Sequence, residues 1–365
     1  MKAITKEREM ALITELKETL PNFLEDKFSD KLFNYVMKRY QTTNQELWTG
    51  RESDQNLYFH QKVQFIDMEA ISEIQGQKSN VAFLGYACDE GVKRNQGRIG
   101  ASQGPEAIRR HLAKQPEHLS ETLSIYDAGN IRCEDEDLEK SQACLTRNVT
   151  DLLTNGFFPI LLGGGHDIAY AHYNGIKEHL KSDRENKTIG IINFDAHFDL
   201  RSDEDGANSG TPFYQIAKEC EAEGTAFRYM CLGVRKDANS KLLFETAENR
   251  EVIFVENEHF NMHYLAHNLK IIQHFIKEVD VIYTTIDLDG FSSAYAPGVS
   301  APSPLGFAPD IVMEVLKIII DSNKLISLDV AELNPSFDKD HQTAKLAAGL
   351  VHFIIHRLDY SSQDW

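Results

Sequence analysis

Four apolar runs in this chain each end in a segment that carries histidine or an acidic residue. The runs and the segments that follow them are 157–162 before 163–167, 188–192 before 193–201, 281–286 before 287–289, and 325–330 before 331–335. Such runs are typical of buried β-strands, and they alternate with helical stretches, which favours parallel βαβ units. Functional sites of open α/β sheets form at the carboxyl ends of the strands. The pattern therefore predicts an α/β fold with a mainly parallel sheet and a site at its carboxyl edge.

The segment after the second run carries Asp195, His197 and Asp199 at alternate positions, and Asp287 and Asp289 repeat this spacing after the third run. In an extended backbone, side chains at alternate positions lie on the same side. We therefore expect each set to converge just past the end of its strand. Carboxylates and an imidazole gathered at one point would repel and desolvate each other unless a cation compensated them.

A sixth candidate ligand is His166, which follows three glycines that allow the chain to turn tightly. The six candidate ligands exceed the about three or four that one zinc ion takes from a protein. They suit two divalent cations that share carboxylates and hold a water between them. Carboxylate-rich sets with some imidazole favour Mn²⁺, Mg²⁺ or Zn²⁺ over copper or an iron–sulfur cluster. Each motif alone also fits a turn or a helix cap, so it is their combination that indicates a metal site.

Composition and charge narrow the classes of function. The net charge of −18 disfavours nucleic acid and anionic membranes as partners. No run approaches the length of a membrane-spanning helix, and the charged N-terminus lacks the apolar core of a signal peptide. The five cysteines show neither a disulfide framework nor CxxC spacing. Together these features predict a cytoplasmic protein that binds neither nucleic acid nor a membrane.

The chain is predicted to have one catalytic domain, residues 44–365, and an N-terminal helical extension, residues 1–43. Helical patterns cover about 4–39, with a second helix at 30–40. The extension could pack on the domain, mediate oligomerisation or bind a partner. The loop 89–100 follows the first strand of the domain, residues 80–86, and is expected to border the site. Arg94 or Arg98 of this loop could meet a substrate carboxylate or serve only the loop structure.

The motifs GGGHD, DAHFD, DLD and AELNP, in that order, resemble those of the ureohydrolase superfamily of arginases and agmatinases. Further segments resemble its formimidoylglutamase (formiminoglutamase) branch, namely LWTGR at 47–51, ACDEGVKRNQGRIGA at 87–101, NFDAHFDLR at 193–201, SGTPF at 209–213 and APGVSAPSPLG at 296–306. The resemblance covers about residues 44–355. It implies an arginase-like three-layer α/β/α sandwich, a site with two Mn²⁺ ions and a tendency to form homo-oligomers.

The resemblance also implies roles for individual residues. One Mn²⁺ would be held by His166, Asp195, Asp199 and Asp287, and the other by His197, Asp195, Asp287 and Asp289, so that Asp195 and Asp287 bridge the ions. Glu332 matches the position that pairs with the cationic end of the substrate. Asp199 would carry a proton from a metal-bridging hydroxide to the leaving nitrogen. The implied reaction is hydrolysis of N-formimidoyl-L-glutamate to L-glutamate and formamide, a step of histidine degradation.

Two departures from arginases point to an acidic substrate. Phe213 stands where arginases carry a proton-shuttling His, and Arg201 stands where they use an Asn to hold the substrate α-carboxylate. A guanidinium can bind a carboxylate bidentately, and Ser209 can add a hydrogen bond. The alternatives are a ureohydrolase for another guanidino compound, of the agmatinase, arginase or guanidinobutyrase type, and a non-catalytic metal-binding regulatory protein. Arg201 should repel the second cation of agmatine.

Overall fold

The computed structural model describes residues 39–74, 80–181 and 187–363. The helical pattern predicted for residues 4–39 lies outside these ranges except for its last residue. The second predicted helix, 30–40, reaches them only at its end, where Tyr40 opens a strand instead of closing a helix. Tyr40–Gln41 pairs antiparallel with the strand that contains Asn130 and Ile131, so these two residues complete hydrogen bonds at the edge of the sheet.

Ten strands form a single sheet in the order β1-β4-β3-β5-β10-β9-β6-β7-β8, with β2 beside β4. They are β1 Tyr40–Gln41, β2 Val63–Phe65, β3 Asn80–Ala87, β4 Ser124–Arg132, β5 Phe157–Leu162, β6 Ile189–Phe194, β7 Arg228–Val234, β8 Ile253–Glu256, β9 Val281–Asp287 and β10 Leu325–Ala331. Within the described ranges, all pairings except that of β1 with β4 are parallel. The predicted α/β class is confirmed.

Helices cover both faces of the sheet. They are α1 Phe59–Lys62, α2 Glu90–Arg94, α3 Gly104–Leu112, α4 Leu138–Thr154, α5 Ile168–Leu180, α6 Pro212–Glu223, α7 Lys241–Asn249, α8 Leu265–Lys277, α9 Pro309–Asp321 and α10 Gln342–Gln363. One hydrophobic core packs α3, α8, α9 and α10 against the sheet, and a second core packs α4 to α7 against the other face. In β6, Ile192 and Phe194 enter the first core while Ile189 and Ile191 enter the second, as alternating side chains require. The three-layer sandwich is therefore confirmed.

Helix boundaries follow proline and glycine. In helix Pro309–Asp321 the proline occupies the first turn, where no backbone N–H is needed. Helix Pro212–Glu223 begins with a proline and ends before Gly224, whose φ of 68° closes the helix in a left-handed conformation.

A buried ion pair holds one edge of the sheet. Arg109 on α3 and Asp127 on β4 are both fully buried, and the guanidinium binds the carboxylate through Nε and Nη2, each at 2.8 Å. Trp48 Nε1 donates to Asp127 Oδ2 at 2.6 Å, and Thr43 Oγ1 donates to Asp127 Oδ1 at 2.7 Å. These bonds tie the segment before the first long strand to the sheet.

The four strands predicted to deliver the site are neighbours in the sheet, in the order β5-β10-β9-β6. Because they are parallel, their carboxyl ends lie at the same edge. The segments 163–167, 331–335, 287–289 and 195–201 therefore leave the sheet side by side. No helix in the described ranges is long and apolar enough to cross a membrane.

Candidate metal centre

The six predicted metal ligands lie together at this edge of the sheet. They form two groups whose ligand atoms lie within 4.8 Å of one another, namely His166 with Asp195, Asp199 and Asp287, and Asp195 with His197 and Asp289. Asp195 belongs to both groups. Asp287, which the resemblance places in both, lies only in the first. The groups come from the ends of β5, β6 and β9.

The pairs at alternate positions are brought together by turns and not by extended backbone. Asp195 Oδ1 accepts a hydrogen bond from His197 N at 2.7 Å, and Asp287 Oδ1 accepts one from Asp289 N at 2.7 Å. An Asp that binds the backbone N–H two residues later folds the chain locally. Asp199 then adopts a left-handed backbone with φ 48°. The expected convergence of Asp195, His197 and Asp199 on one point is therefore wrong in detail, because the bend sends His197 to one group and Asp199 to the other.

His166 presents one ring nitrogen to the carboxylates. Its Nδ1 lies 3.2 Å from Asp195 Oδ2, 2.8 Å from Asp199 Oδ2 and 3.0 Å from Asp287 Oδ2. The other nitrogen, Nε2, lies 3.0 Å from Thr285 Oγ1. Because Thr285 donates its own proton elsewhere, it accepts from Nε2–H, which leaves the lone pair of the neutral ring on Nδ1.

A buried polar network continues beneath His166. Thr285 Oγ1 donates to Asp329 Oδ1 at 2.5 Å, and Tyr283 OH donates to Asp329 Oδ2 at 2.5 Å. His172 Nδ1 lies 2.6 Å from Asp329 Oδ2, while its Nε2 lies 2.6 Å from Ser327 Oγ. All of these side chains are fully buried. The network fixes the ring of His166 from the interior of the sheet.

Negative charge is concentrated in this buried space. Burial, followed by Asp289 and Asp195, raises the pKa of Asp287 well above its usual value. Burial and Asp195 also raise the pKa of Asp199. Burial disfavours the charged ring of His166, but the facing carboxylates, Asp287 first, outweigh it and raise the pKa of that ring. The shifts have a common cause, since clustered carboxylates require positive charge among them.

The donor set fits divalent cations. His166 Nδ1 and Asp289 Oδ1 are buried without a hydrogen-bond partner in the described part of the chain. Asp289 Oδ1 lies 3.2 Å from His197 Nδ1. A lone pair that faces carboxylate oxygens is repelled unless a cation lies between them. Carboxylate oxygens with imidazole nitrogens are ligands that Mn²⁺, Mg²⁺ and Zn²⁺ accept, so the two groups could hold two neighbouring ions.

Glu332 lies beside the first group at the end of β10. Its Oε1 accepts a hydrogen bond from His166 N at 2.8 Å, and its own backbone is left-handed, with φ 67°. Such strained backbone concentrates at functional sites. Burial, followed by Asp289, raises the pKa of Glu332 to about 8. Gly163 allows this approach of β5 and β10, because a Cβ there would lie 2.8 Å from the carbonyl oxygen of Val330.

A cavity of about 300 Å³ opens above the carboxylates. It is lined by Asn95, Gln96, Gly97, Arg98, His166, His197, Asp199, Arg201, Ser209, Asp287, Asp289, Ser300, Ala301 and Glu332. Arg201 and Ser209 were predicted to bind substrate, and both line it. The loop 89–100 also borders it, as predicted. A cavity of this volume suits a small molecule.

The three arginines near this cavity differ in their partners. Arg94 binds the carboxylates of Glu90 and Glu139 and does not line the cavity. Arg98 lines it, but its guanidinium donates to the carbonyl oxygens of residues 299 and 300 and lies 3.9 Å from the ring centroid of Phe337. Arg201 makes no ion pair within the described ranges. Its guanidinium is therefore the cation in the cavity lining that remains available to a ligand.

Phe213 lies below the site and not in the cavity. Its ring is fully buried, stacks on Tyr229 at 4.3 Å between centroids and meets the edge of His166 at 5.5 Å. A side chain in this place supports the His166 ring and has no path to the cavity. Cys231 is also structural, since its Sγ donates to the carbonyl oxygen of His197 at 3.2 Å.

Several residues at the site were not predicted. Thr285 and Asp329 are polar residues inside otherwise apolar strands, a signal that could have indicated them. His172 lies on a helix, 157 residues before its partner Asp329, and no local pattern joins the two. Asn95 lies in the loop 89–100, which was expected to border the site, but only Arg94 and Arg98 of this loop were predicted to contact the substrate.

Known proteins are similar to this chain in sequence. A sequence model of the Arginase family matches residues 79–356. The formimidoylglutamase of Clostridium tetani (strain Massachusetts / E88) is 41% identical over 325 residues, which are 87% of this chain and 95% of that protein. The formimidoylglutamase of Aeromonas salmonicida (strain A449) is 42% identical over 320 residues, 87% of this chain and 99% of that protein.

Solved structures are similar in fold. The crystal structure of formimidoylglutamase from Bacillus subtilis subsp. subtilis str. 168 has a TM-score of 0.71 at 24% identity and covers 85% of this chain and 94% of its own. The structure of Trypanosoma cruzi formiminoglutamase with Mn²⁺ has a TM-score of 0.67 at 23% identity and covers 80% of this chain and 98% of its own.

Proposed function

Because this chain belongs to the arginase family, we propose that it is a formimidoylglutamase, which hydrolyses N-formimidoyl-L-glutamate to L-glutamate and formamide. The curated relatives that carry this name match 87% of the chain. The observation that carries the proposal is the charge of the cavity. Acidic groups, including Glu332, form one part of its lining, and the guanidinium of Arg201 forms another. This arrangement is complementary to a molecule with a cationic amidine at one end and carboxylates at the other.

We propose that the cofactor is a pair of Mn²⁺ ions. His166, Asp195, Asp199 and Asp287 would hold one ion, and His197, Asp195 and Asp289 the other. The resemblance adds Asp287 as a second bridging ligand. The partnerless His166 Nδ1 and Asp289 Oδ1 support this assignment, and a solved structure of similar fold carries Mn²⁺. When bound, two such ions would lower the pKa of a water and stabilise charge that develops on oxygen.

Four residues of the chain would then act on the substrate. Glu332, held by the backbone of His166, binds the amidinium and orients its carbon. Arg201 and Ser209 bind a carboxylate at the other end. Water adds to the amidine carbon, Asp199 takes a proton from that water, and the proton passes to the glutamyl nitrogen as its bond to the carbon breaks. The products are L-glutamate, which leaves with this nitrogen, and formamide.

Product identity tests the proposal. Purified protein loaded with Mn²⁺ should release formamide and glutamate from N-formimidoyl-L-glutamate, and it should release urea from arginine, agmatine or 4-guanidinobutyrate far more slowly. Faster release of urea would assign the chain to another ureohydrolase activity. Absence of turnover with every one of these compounds, in protein that binds Mn²⁺, would favour the non-catalytic metal-binding alternative.

We further propose that residues 44–365 form the catalytic domain, that the protein acts in histidine degradation in the cytoplasm, and that it forms a homo-oligomer. Since Tyr40–Gln41 belongs to the sheet, the deletion that tests the extension should remove residues 1–38 only. Retained turnover with a changed mass in solution would assign the extension to assembly. Unchanged turnover, mass and thermal stability would exclude an assembly role.

A further inference from the structure

Asn95 joins the loop 89–100 to the segment that carries Arg201 and Ser209, and both segments line the cavity. It follows α2 and is half-buried, and its Oδ1 accepts a hydrogen bond from Arg201 Nη1 at 2.9 Å. Its Nδ2 donates to Ser209 Oγ at 3.0 Å. The orientation of the amide is set by chemistry, because a guanidinium can only donate and must therefore face the amide oxygen.

The backbone around these three side chains is held in place. Arg201 N donates to Gly210 O at 3.0 Å, and Ser209 N donates to Gly91 O at 3.1 Å. Gly210 lets the side chains close, since a Cβ there would lie 3.0 Å from Arg201 Cδ and 3.2 Å from Asn95 Nδ2. The hydrogen bonds of Asn95 thus join loops that are already anchored.

The amide positions Arg201 without neutralising it. Within residues 39–74, 80–181 and 187–363, Arg201 has no carboxylate partner, whereas Arg94, the residue before Asn95, is paired with Glu90 and Glu139. A neutral acceptor takes one N–H of the guanidinium and leaves the others, together with the full positive charge, for a ligand.

The same amide directs the hydroxyl of Ser209. Because Nδ2 of Asn95 donates to Ser209 Oγ, the hydroxyl proton of Ser209 points elsewhere. Among the described residues that proton has no acceptor, and Ser209 lines the cavity. One neutral side chain therefore turns two donors, a guanidinium and a hydroxyl, toward the cavity.

We propose that Asn95 is a positioning residue that determines specificity, by holding Arg201 and Ser209 as a preformed receptor for one carboxylate of the substrate. The proposal rests on the proposed function for the identity of the substrate, but not for the geometry of the receptor. An aspartate at this position would accept from both neighbours. It would pair with Arg201 and draw the Ser209 proton away from the cavity, with almost no change in size.

The test is Asn95→Asp, with kinetics on N-formimidoyl-L-glutamate and on two analogues that each lack one of its carboxylates. Asn95→Asp should raise KM by about tenfold or more with kcat within about twofold, because ground-state and transition-state binding are lost together. The effect should largely disappear for the analogue that lacks the bound carboxylate, and in an Arg201→Ala background. A fall in kcat alone, or an equal effect on both analogues or in that background, would overturn the proposal.

Two further variants serve as a charge control and as a replacement if Asn95→Asp does not fold. Gln96→Glu adds the same charge at the next position of the cavity wall, where no hydrogen bond to Arg201 exists in the described structure. It should raise KM less than Asn95→Asp, and an equal rise would reduce the effect to general repulsion and overturn the proposal. If Asn95→Asp does not fold, Asn95→Ala should show the same dependence on Arg201 with a smaller rise in KM.

The positioning role of Asn95 and the proposed function can be tested separately. If the wild-type protein turns over N-formimidoyl-L-glutamate and Asn95→Asp has no effect on KM, the function stands and the positioning role fails. If the wild type shows no turnover, calorimetry with L-glutamate on the Mn²⁺-loaded protein replaces kinetics. Weaker glutamate binding in Asn95→Asp, lost in the Arg201→Ala background, would then uphold the receptor without the function, and unchanged binding would reject it.

Discussion

Replacing Thr285 with valine should weaken metal binding without altering any predicted ligand. Thr285 is fully buried on β9 and joins His166 Nε2 to Asp329 Oδ1. Valine has nearly the same shape but neither accepts nor donates. The variant therefore leaves the N–H of His166 without its acceptor and the carboxylate of Asp329 without one donor, and the His166 ring loses the contact that fixes its orientation.

The size of the effect can be estimated from these bonds. A buried group left unsatisfied costs about 1–3 kcal/mol. Loss of a hydrogen bond that orients a metal-binding histidine typically lowers metal affinity by about 10–100-fold, which corresponds to about 1.4–2.7 kcal/mol. We expect the Kd for Mn²⁺ to rise by such a factor, measured by calorimetric titration of metal-free protein.

Thr284→Val is the matched control. Thr284 is the preceding residue of β9, is equally buried and points to the opposite face, and its hydroxyl has no hydrogen-bond partner in the described structure. The same substitution there removes no bond and should leave the Kd for Mn²⁺ within about twofold of the wild-type value. Equal Mn²⁺ affinity in the Thr285→Val and wild-type proteins, or equal weakening in both variants, would refute the orienting role of Thr285.

Three other predictions concern different parts of the molecule. Arg201→Ala should raise KM for N-formimidoyl-L-glutamate by about tenfold or more, with partial recovery in Arg201→Lys, measured by steady-state kinetics. Arg109→Met should destabilise the protein by about 3–5 kcal/mol in chemical unfolding, because the buried carboxylate of Asp127 loses its cation. Hydrogen bonding from the Cys88 thiol lowers the pKa of Cys133 to about 7. Since the thiolate is the reactive form, alkylation of Cys133 should rise with pH and reach half its maximum near pH 7, measured by peptide mass spectrometry, and a midpoint above pH 8 would contradict this.

The strands were predictable because buried parallel strands must be apolar almost throughout. The run 325–330 matches strand Leu325–Ala331 to within one residue. The order of the strands in the sheet was not predictable in the same way. Nothing local in residues 325–331 says that this strand lies between β5 and β9, because that placement depends on pairings with residues far away in the chain.

The residue types of the site were also predictable, because four strand ends each carry His, Asp or Glu and their combination indicates a metal site. Their division between two groups follows from the resemblance but not from the alternate spacing, because the bends at Asp195 and Asp287 depend on which backbone N–H each carboxylate accepts. The support that Asp329 gives to His166 through Thr285, and the role of Asn95, could not be predicted from the neighbouring sequence either. Each acts on a partner that is 44 or more residues distant in sequence.

The central position of β10 has a consequence for how the molecule is made. This strand is the last of the ten in the chain, yet it lies between β5 and β9 and carries Glu332 at its end. During synthesis, β5 and β9 leave the ribosome before the strand that separates them, so β5 can pair only with β3, and β9 only with β6, until residue 331 has emerged. Long-range pairing of this kind is slow and leaves strand edges exposed. We therefore expect nascent chains that end before residue 325 to be prone to aggregation and unable to retain Mn²⁺, however complete their set of His and Asp ligands.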